Sequence, residues 1–254
     1  NVQILSSNLV QNGDFSEEGV QEVSNGSFSQ EGSEVVVNGD FALNSNWSGT
    51  NTIANGQLIK GSGGGLVYQG TLDGTIKSYK VTIDVAEKNG VSLNLYLGGS
   101  QFPLNEGTQT LYIQSGNGNT FIGFNNGANS VINSISCVEV GQNWTLGTGW
   151  SIAEDKAICD GTQTSDTFLY QNIGSQSNKT IKYSFTVNNY VSGTLKTTYF
   201  GATGTVVNSI SANGDYVFYV NVQSGHNGNT GFKAEVGFIG SITNISVKEV
   251  GQNW

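Results

Sequence analysis

A ten-residue sequence that occurs twice constrains the fold of this chain more than any other feature. It begins at Ile135 and recurs 110 residues later at Ile245, and eight of the ten positions are identical in ISCVEVGQNW and ISVKEVGQNW. A repeat at such a spacing indicates two domains of one fold. We therefore predict two tandem copies, over residues 35–140 and 141–254.

Shorter matches fall between these ends. The Tyr-Gln pair at Tyr68 recurs at Tyr170, and Tyr96-Leu-Gly recurs as Tyr199-Phe-Gly. These matches predict equivalent strands in the two copies.

Aromatic residues mark the start of each copy. An alignment shifted by 103 residues places Phe41 opposite Trp144 and Trp47 opposite Trp150. Because Phe and Trp are both large and apolar, we interpret these four side chains as structural pegs, buried in the core or between domains.

A second repeat precedes the copies. Asn-Gly-Asp-Phe or Asn-Gly-Ser-Phe begins at Asn12, Asn25 and Asn38, with a spacing of 13 residues. Residues 1–34 are predicted to be a repetitive acidic stalk, with a solvated acidic leader as the alternative. Since Gly251-Gln252-Asn253-Trp254 repeats the opening of the second copy, we expect a third repeat to begin there, in a longer array.

Polar and apolar residues alternate over short segments. Tyr79, Val81, Ile83 and Val85 alternate with polar residues, and Asn-Gly pairs such as Asn89-Gly90 separate such segments. This pattern is typical of half-buried antiparallel strands joined by tight turns. The predicted fold class is all-β: two tandem antiparallel, jelly-roll-like β-sandwich domains after a short stalk.

Charge excludes several partners. The chain carries ten basic residues, all Lys, against 19 acidic ones, for a net charge of −9. Nucleic acid and anionic membranes repel such a surface, and no apolar run is long enough to span a bilayer. We expect neither partner.

No catalytic set is evident. The single His226 lies in a turn-rich segment and is interpreted as an exposed loop residue, and it cannot complete a triad alone. Cys137 and Cys159 are interpreted as buried thiols, with a single bridge as the alternative. We predict that the chain is not an enzyme.

The opening Asn-Gly-Asp-Phe, the following Trp, the Tyr-Gln strand and the closing strand from Ile245 resemble the jelly-roll carbohydrate-binding modules of the family 4/9 type. They look even more like tandem modules of bacteriophage tail and head fibre proteins. The resemblance covers both copies and implies glycan binding, often with a structural Ca²⁺. The sequence departs from it where Asn143 stands opposite Asp40, and no local acidic cluster would supply the oxygens that Ca²⁺ needs. We predict no cofactor and no metal site.

Exposed aromatic rings are the best candidates for sugar stacking. Tyr96 and Tyr199 lie on the polar-alternating side of their strands and are the first candidates; Tyr68 and Tyr170 are weaker ones.

The resulting hypothesis is a non-enzymatic fibre or appendage protein of a phage virion, which adheres to a host-surface glycan. Its expected partners are other virion proteins and further copies of itself, as a homo-oligomer and in particular a trimer. The alternative is a pair of carbohydrate-binding modules in a larger, secreted bacterial protein.

Overall fold

The described residues form two units, each built from strands. The computed structural model describes residues 16–199 and 205–252, and no helix occurs among them. Contacts assign Ser29–Gln142, with Ser151–Glu154, to one unit, and the rest of the described chain to the other. We call these the first and the second sandwich, and we count residues 151–154 with the second, because the strand that contains most of them pairs within its sheet. The predicted all-β class with two antiparallel sandwiches is confirmed.

The first sandwich has two sheets. One has the order β3-β4-β11-β6-β9, with β2 added beside β11, and the other has the order β5-β10-β7-β8. The strands are β2 (Glu31–Glu34), β3 (Asn51–Ala54), β4 (Gln57–Lys60), β5 (Val67–Gln69), β6 (Ser78–Glu87), β7 (Leu93–Leu97), β8 (Ser100–Pro103), β9 (Gly107–Gln114), β10 (Ile122–Asn126) and β11 (Val131–Val140).

The second sandwich repeats this plan. Its sheets have the orders β13-β14-β21-β16-β19, with β1 added beside β21, and β12-β15-β20-β17-β18. The strands are β1 (Glu18–Gln21), β12 (Thr145–Leu146), β13 (Trp150–Ala153), β14 (Lys156–Asp160), β15 (Thr167–Asn172), β16 (Thr180–Ser192), β17 (Leu195–Tyr199), β18 (Thr205–Ile210), β19 (Gly214–Asn221), β20 (Asn229–Ala234) and β21 (Ile239–Val250).

The core of the first sandwich lies between its sheets. Alternate residues of β6, from Tyr79 to Val85, are buried, and so are Leu95 of β7 and Phe124 of β10. Side chains in a strand point alternately to the two faces, so Asn94 and Tyr96 of β7, with Gly123 and Asn125 of β10, belong to the outer face of their sheet.

Tight turns fall where Asn-Gly pairs predict them. Asn89 and Gly90 both have positive φ, at 54° and 75°, as a type I′ turn requires. The β13–β14 turn uses Glu154 and Asp155 instead, at φ of 51° and 58°. Glu is uncommon in this region, whereas Gly adopts it readily, so this turn is the more strained of the two.

The predicted stalk over residues 1–34 is wrong for its described part. Glu34 pairs with Val138 in β11, and Gln21 pairs with Lys248 in β21. The physical reason is the length of these final strands: β4 and β14 pair only with their first halves, which leaves the second half of each edge open. An added strand covers that edge. Residues 1–15 lie outside the described part.

The domain boundaries differ accordingly. Residues 29–41, which we call docking peptide 1, belong to the first sandwich, and residues 16–28, docking peptide 2, belong to the second. The predicted ranges 35–140 and 141–254 leave residues 29–34 out of the first sandwich and residues 16–28 out of the second. In sequence, the first sandwich is inserted between docking peptide 2 and the remainder of the second sandwich.

Candidate functional site

A row of residues crosses the outer face of the β5-β10-β7-β8 sheet. Tyr68 of β5 pairs with Gly123 of β10, which pairs with Tyr96 of β7, and Tyr96 pairs with Gln101 of β8. Neighbouring strands lie about 4.8 Å apart, so the two tyrosines stand roughly 10 Å apart in the sheet. Both are half-buried. Two aromatic side chains therefore flank a position without a side chain.

Glycine is required at that position. A Cβ on Gly123 would lie 2.0 Å from the Val67 carbonyl oxygen. The close approach of β5 thus fixes the gap between the tyrosines. Gly231 has the same relation to Leu169 in the second sandwich.

Amide side chains extend the row toward β8. The Nδ2 groups of Asn94 and Asn125 donate to Oε1 of Gln101, at 3.2 and 3.1 Å. On the other side, Asn119 Nδ2 donates to the Tyr96 hydroxyl at 3.1 Å. These hydrogen bonds hold the polar groups in place before any ligand arrives.

A second ring supports Tyr68. The Phe121 ring centroid lies 4.4 Å from that of Tyr68, tilted by 38°. The Phe121 backbone N–H donates to Asn119 Oδ1 at 2.8 Å. The same asparagine therefore contacts both Tyr96 and the residue that supports Tyr68. We call Tyr68, Tyr96, Asn94, Gln101 and Asn125, arranged around Gly123, the tyrosine face.

The second sandwich has a different outer face. Tyr170 pairs with Gly231, and Gly231 pairs with Thr198, so Thr198 occupies the register of Tyr96. Tyr199 pairs with Thr230, one residue further along. The predicted equivalence of Tyr96 and Tyr199 is therefore wrong by one position in the strand register. The side chain of Tyr199 lies outside the described part.

Ion pairs replace the amides there. Lys233 bonds Asp166, and Lys196 bonds Glu235. The Lys233 ammonium holds the pKa of Asp166 below its usual range. Consequently the tyrosine face is confined to the first sandwich, within the residues described.

The aromatic pegs pair differently from the sequence alignment. Phe41 packs on Trp47, with centroids 5.5 Å apart, and Phe28 packs on Trp144, 5.2 Å apart. Each indole Nε1–H donates at 3.1 Å to the carbonyl of the motif asparagine, Asn38 or Asn25. Trp144 is thus the equivalent of Trp47. The sequence alignment placed Trp144 opposite Phe41 instead, because the Phe that packs on Trp144, Phe28, lies more than 100 residues earlier in the chain.

Trp150 has a separate role. It is buried in β13, 6.3 Å from the ring of Phe238, and its Nε1–H has no hydrogen-bond partner. By strand register its counterpart is Asn51 at the start of β3.

Two glutamines that the sequence reasoning overlooked clamp the docking peptides. Gln69 accepts a hydrogen bond from Val37 N–H and donates to the Val37 carbonyl. Gln171 does the same with Ser24. The Tyr-Gln pair that recurs in each copy was the sequence signal for this contact, because the Gln of the pair binds the docking peptide.

A buried cation stabilises one loop of the first sandwich. Lys60 is 2% exposed, and its Nζ donates to the carbonyls of Gly65 and Phe124 at 2.6 and 2.9 Å. Burial lowers the pKa of Lys60 to about 8. The ammonium group of Lys60 therefore supplies the positive charge beside these two carbonyl oxygens.

Other candidate ligands are dispersed. Among the described residues no group of three or more His, Cys, Asp or Glu could hold a metal ion. Cys137 and Cys159 are buried, unbridged and in different sandwiches, and burial raises the pKa of both thiols. Over the same part of the chain, no helix is long and apolar enough to cross a membrane.

The interpretation of His226 as an exposed residue is wrong. It is 6% exposed, its Nδ1 accepts from the Gln176 N–H at 3.0 Å, and its Nε2 lies 3.2 Å from the Asn229 carbonyl. This geometry fits a neutral ring with Nε2 protonated. Burial lowers its pKa. His226 therefore ties the β15–β16 loop to the β19–β20 loop.

Comparisons with known proteins are uninformative at the level of sequence. The chain matches no family model, and no curated protein matches it significantly.

The solved structures that share some structural similarity with this chain include an allantoicase, a tandem CBM22 domain and a viral jelly-roll protein. Allantoicase from Saccharomyces cerevisiae is 10% identical, with 76% of each chain covered and a TM-score of 0.31. A tandem CBM22 domain of Xyn10C from Paenibacillus barcinonensis is 8% identical, with 87% of this chain and 98% of that one covered and a TM-score of 0.24. A triple jelly-roll turret protein of an archaeal virus is 12% identical, with 87% and 59% covered and a TM-score of 0.25. At these TM-scores the similarities carry no argument about function.

Proposed function

We propose that this chain is a non-enzymatic structural protein that binds a glycan on the tyrosine face of the first sandwich. The observation that carries the proposal is the cross-strand row Tyr68–Gly123–Tyr96. Sugar rings stack on aromatic faces through their C–H groups, and their hydroxyls take hydrogen bonds from the surroundings.

The chemistry of the surrounding residues supports a neutral ligand. Because Asn94 and Asn125 both donate to Gln101 Oε1, the Nε2 group of Gln101 and the Oδ1 atoms of the two asparagines remain to meet hydroxyls. The row has donors and acceptors but no charged residue. That composition suits an uncharged sugar better than a phosphate or an acidic sugar.

The wider role that we propose is a fibre or appendage component of a phage virion, acting as a homo-oligomer with a trimer as the expected state. The repeats and the Asn- and Gly-rich composition support it. A single tyrosine face gives weak adhesion alone, and an oligomer raises the avidity. A secreted bacterial protein that carries these modules is the alternative, and mass measurement in solution separates an assembled oligomer from a monomeric module.

Glycan-array screening followed by calorimetry tests the binding face. Tyr96→Ala and Tyr68→Ala should each weaken binding by about 0.5–1.5 kcal/mol, roughly 2- to 12-fold, because each removes one stacking ring. Tyr219→Ala is the matched control, since Tyr219 is 67% exposed in the second sandwich. Equal binding by all three variants, or no glycan bound by the parent chain, would refute the assignment. Hydrolysis of any polysaccharide in the same panel would refute the non-enzymatic role.

A further inference from the structure

Two loops of the second sandwich are joined at His226. Its Nδ1 accepts a hydrogen bond from the Gln176 N–H at 3.0 Å, and its backbone N–H donates to Ser177 Oγ at 3.1 Å. Gln176 and Ser177 belong to the β15–β16 loop, residues 173–179, and His226 belongs to the β19–β20 loop, residues 222–228. His226 and Gln176 are both buried, so the contact between them lies away from solvent.

The β15–β16 loop also binds docking peptide 2. The Gln176 Nε2 donates to Glu22 Oε2 at 3.4 Å and to the Ile173 carbonyl at 3.3 Å. Just before the loop, Gln171 accepts from the Ser24 N–H at 2.7 Å. Gln176 therefore contacts the histidine through its backbone and the docking peptide through its side chain.

Charged groups reach this network from the elements around it. Lys179, on the β15–β16 loop, donates to Gln176 Oε1 at 3.1 Å and pairs with Glu249 of β21 at 3.0 Å. Glu22 contributes a carboxylate from docking peptide 2. The β19–β20 loop has no charged residue apart from His226 in its protonated form. The Gln176 side chain thus lies between a cation on its own loop and a carboxylate on the docking peptide.

Protonation of His226 is incompatible with these hydrogen bonds. The neutral ring accepts at Nδ1, whereas an imidazolium carries an N–H at both nitrogens. On protonation, Nδ1–H and the Gln176 N–H would face each other, donor against donor. Burial lowers the pKa of the ring, so the docked arrangement binds a proton less tightly than an opened one. Acid therefore favours a state in which Gln176 has moved away from the ring.

We propose that His226 makes the docking of residues 16–28 sensitive to mild acid. Protonation of the ring displaces the Gln176 backbone, the Gln176 side chain then loses Glu22, and docking peptide 2 detaches more often from the edge of β21. Histidine suits this role because its ordinary pKa, about 6.5, lies just below neutral pH. The proposal does not depend on glycan binding.

The first sandwich provides an internal control. At the 13-residue spacing, Val35 of docking peptide 1 stands at the position of Glu22. The corresponding loops, between β5 and β6 and between β9 and β10, are joined by Ser115, whose Oγ accepts from the Lys77 N–H at 3.1 Å. Since neither Val35 nor the Ser115 hydroxyl titrates near neutral pH, docking peptide 1 should not respond to acid by this route.

Hydrogen exchange of the full chain at pH 7.0 and 5.5, corrected for the intrinsic exchange rate at each pH, tests the proposal. One proton bound below the ordinary histidine pKa changes an equilibrium by at most about 10-fold per pH unit. Protection of residues 16–28 should therefore fall by roughly 3- to 8-fold, with no change in residues 29–41. If residues 16–28 keep their protection while β20 loses it, protonation destabilises the sandwich without releasing the peptide, and the proposal is wrong.

Three variants identify the route. His226→Asn supplies an amide oxygen that accepts from the Gln176 N–H at either pH, so it should abolish the fall in protection. Glu22→Ala should abolish it as well, because the docking peptide no longer contacts Gln176. Glu22→Gln is the matched control: it keeps an acceptor without a titrating group, so the fall should persist. A fall that persists in His226→Asn or Glu22→Ala, or one that disappears in Glu22→Gln, overturns the proposal.

A measurement on the ring itself keeps the test decisive if His226→Asn does not fold. His226 is the only histidine of the chain, so its imidazole signals in NMR spectra titrate alone. Phe28→Ala removes the ring that packs on Trp144 and weakens docking, so it should raise the pKa of His226 toward its ordinary value. Phe41→Ala, in docking peptide 1, should leave that pKa unchanged. Equal pKa values in the parent chain and Phe28→Ala would refute the link between docking and protonation.

Discussion

Truncation of Phe28 should destabilise the second sandwich and leave the first intact, although Phe28 directly precedes the first sandwich in sequence. Phe28 is 1% exposed and packs on Trp144, which belongs to the second sandwich. The matched variant is Phe41→Ala, which should destabilise the first sandwich alone because Phe41 packs on Trp47.

The loss of stability in Phe28→Ala depends on the burial of Phe28 and on the ability of docking peptide 2 to detach from its sandwich. A buried Phe→Ala substitution costs about 3–5 kcal/mol. The peptide can undock before the sandwich unfolds, so the loss cannot exceed the free energy of docking, and we expect the lower end, about 3 kcal/mol. That corresponds to roughly a 100-fold change in an opening equilibrium.

Hydrogen exchange read by mass spectrometry separates the two sandwiches. Phe28→Ala should raise exchange by roughly 100-fold in residues 16–28 and at the end of β21, with no change in β11. Phe41→Ala should give the reverse pattern in residues 29–41 and β11. Faster exchange of β11 in Phe28→Ala, or unchanged exchange of β21, would refute the assignment of the docking peptides.

Three further predictions concern single residues. The unfolded chain binds the Lys60 proton more tightly than the folded chain, so the parent chain gains stability relative to Lys60→Met as the pH rises. The difference in unfolding free energy, measured by urea titration, should change by about 1 kcal/mol in favour of the parent from pH 7.5 to 9; a constant difference would contradict the burial of this charge. Because burial lowers the pKa of His226, the second sandwich should lose stability as the pH falls below about 6.5, and His226→Gln should lose less; identical acid profiles would contradict this. Gly39→Ala should destabilise the first sandwich by about 3 kcal/mol in thermal melts, whereas Gly63→Ala should be nearly neutral because a Cβ there meets nothing within 4 Å. Equal melting temperatures of the two variants would contradict the close approach of Gly39 to Ile135.

Local pattern was sufficient for the strands and the turns. The alternation from Tyr79 to Val85 lies within β6, and the Asn89-Gly90 turn follows that strand. These features depend on residues close in sequence, where side-chain period and turn propensity act directly.

Pairing between distant segments could not be predicted in this way. The 13-residue repeat was visible, but the sequence does not state that Phe28 meets Trp144 while Phe41 meets Trp47. The tyrosine face depends on register as well: a shift of one residue puts Thr198 where the alignment puts Tyr199. Since the side-chain period of a strand is two, that single residue decides which face a candidate ligand residue occupies.

The nested order of the docking peptides has a consequence for folding. The first sandwich is continuous over residues 29–142, whereas the second joins residues 16–28 to residues that begin at 143. During synthesis, docking peptide 2 therefore leaves the ribosome more than 100 residues before its site exists. Contacts that close a long loop form late, because the loss of chain entropy precedes the gain from contact. We expect the first sandwich to fold first, with docking peptide 2 undocked and docking last. Pulse-labelled exchange during refolding should show β11 protected before the end of β21, and simultaneous protection of the two would contradict this order.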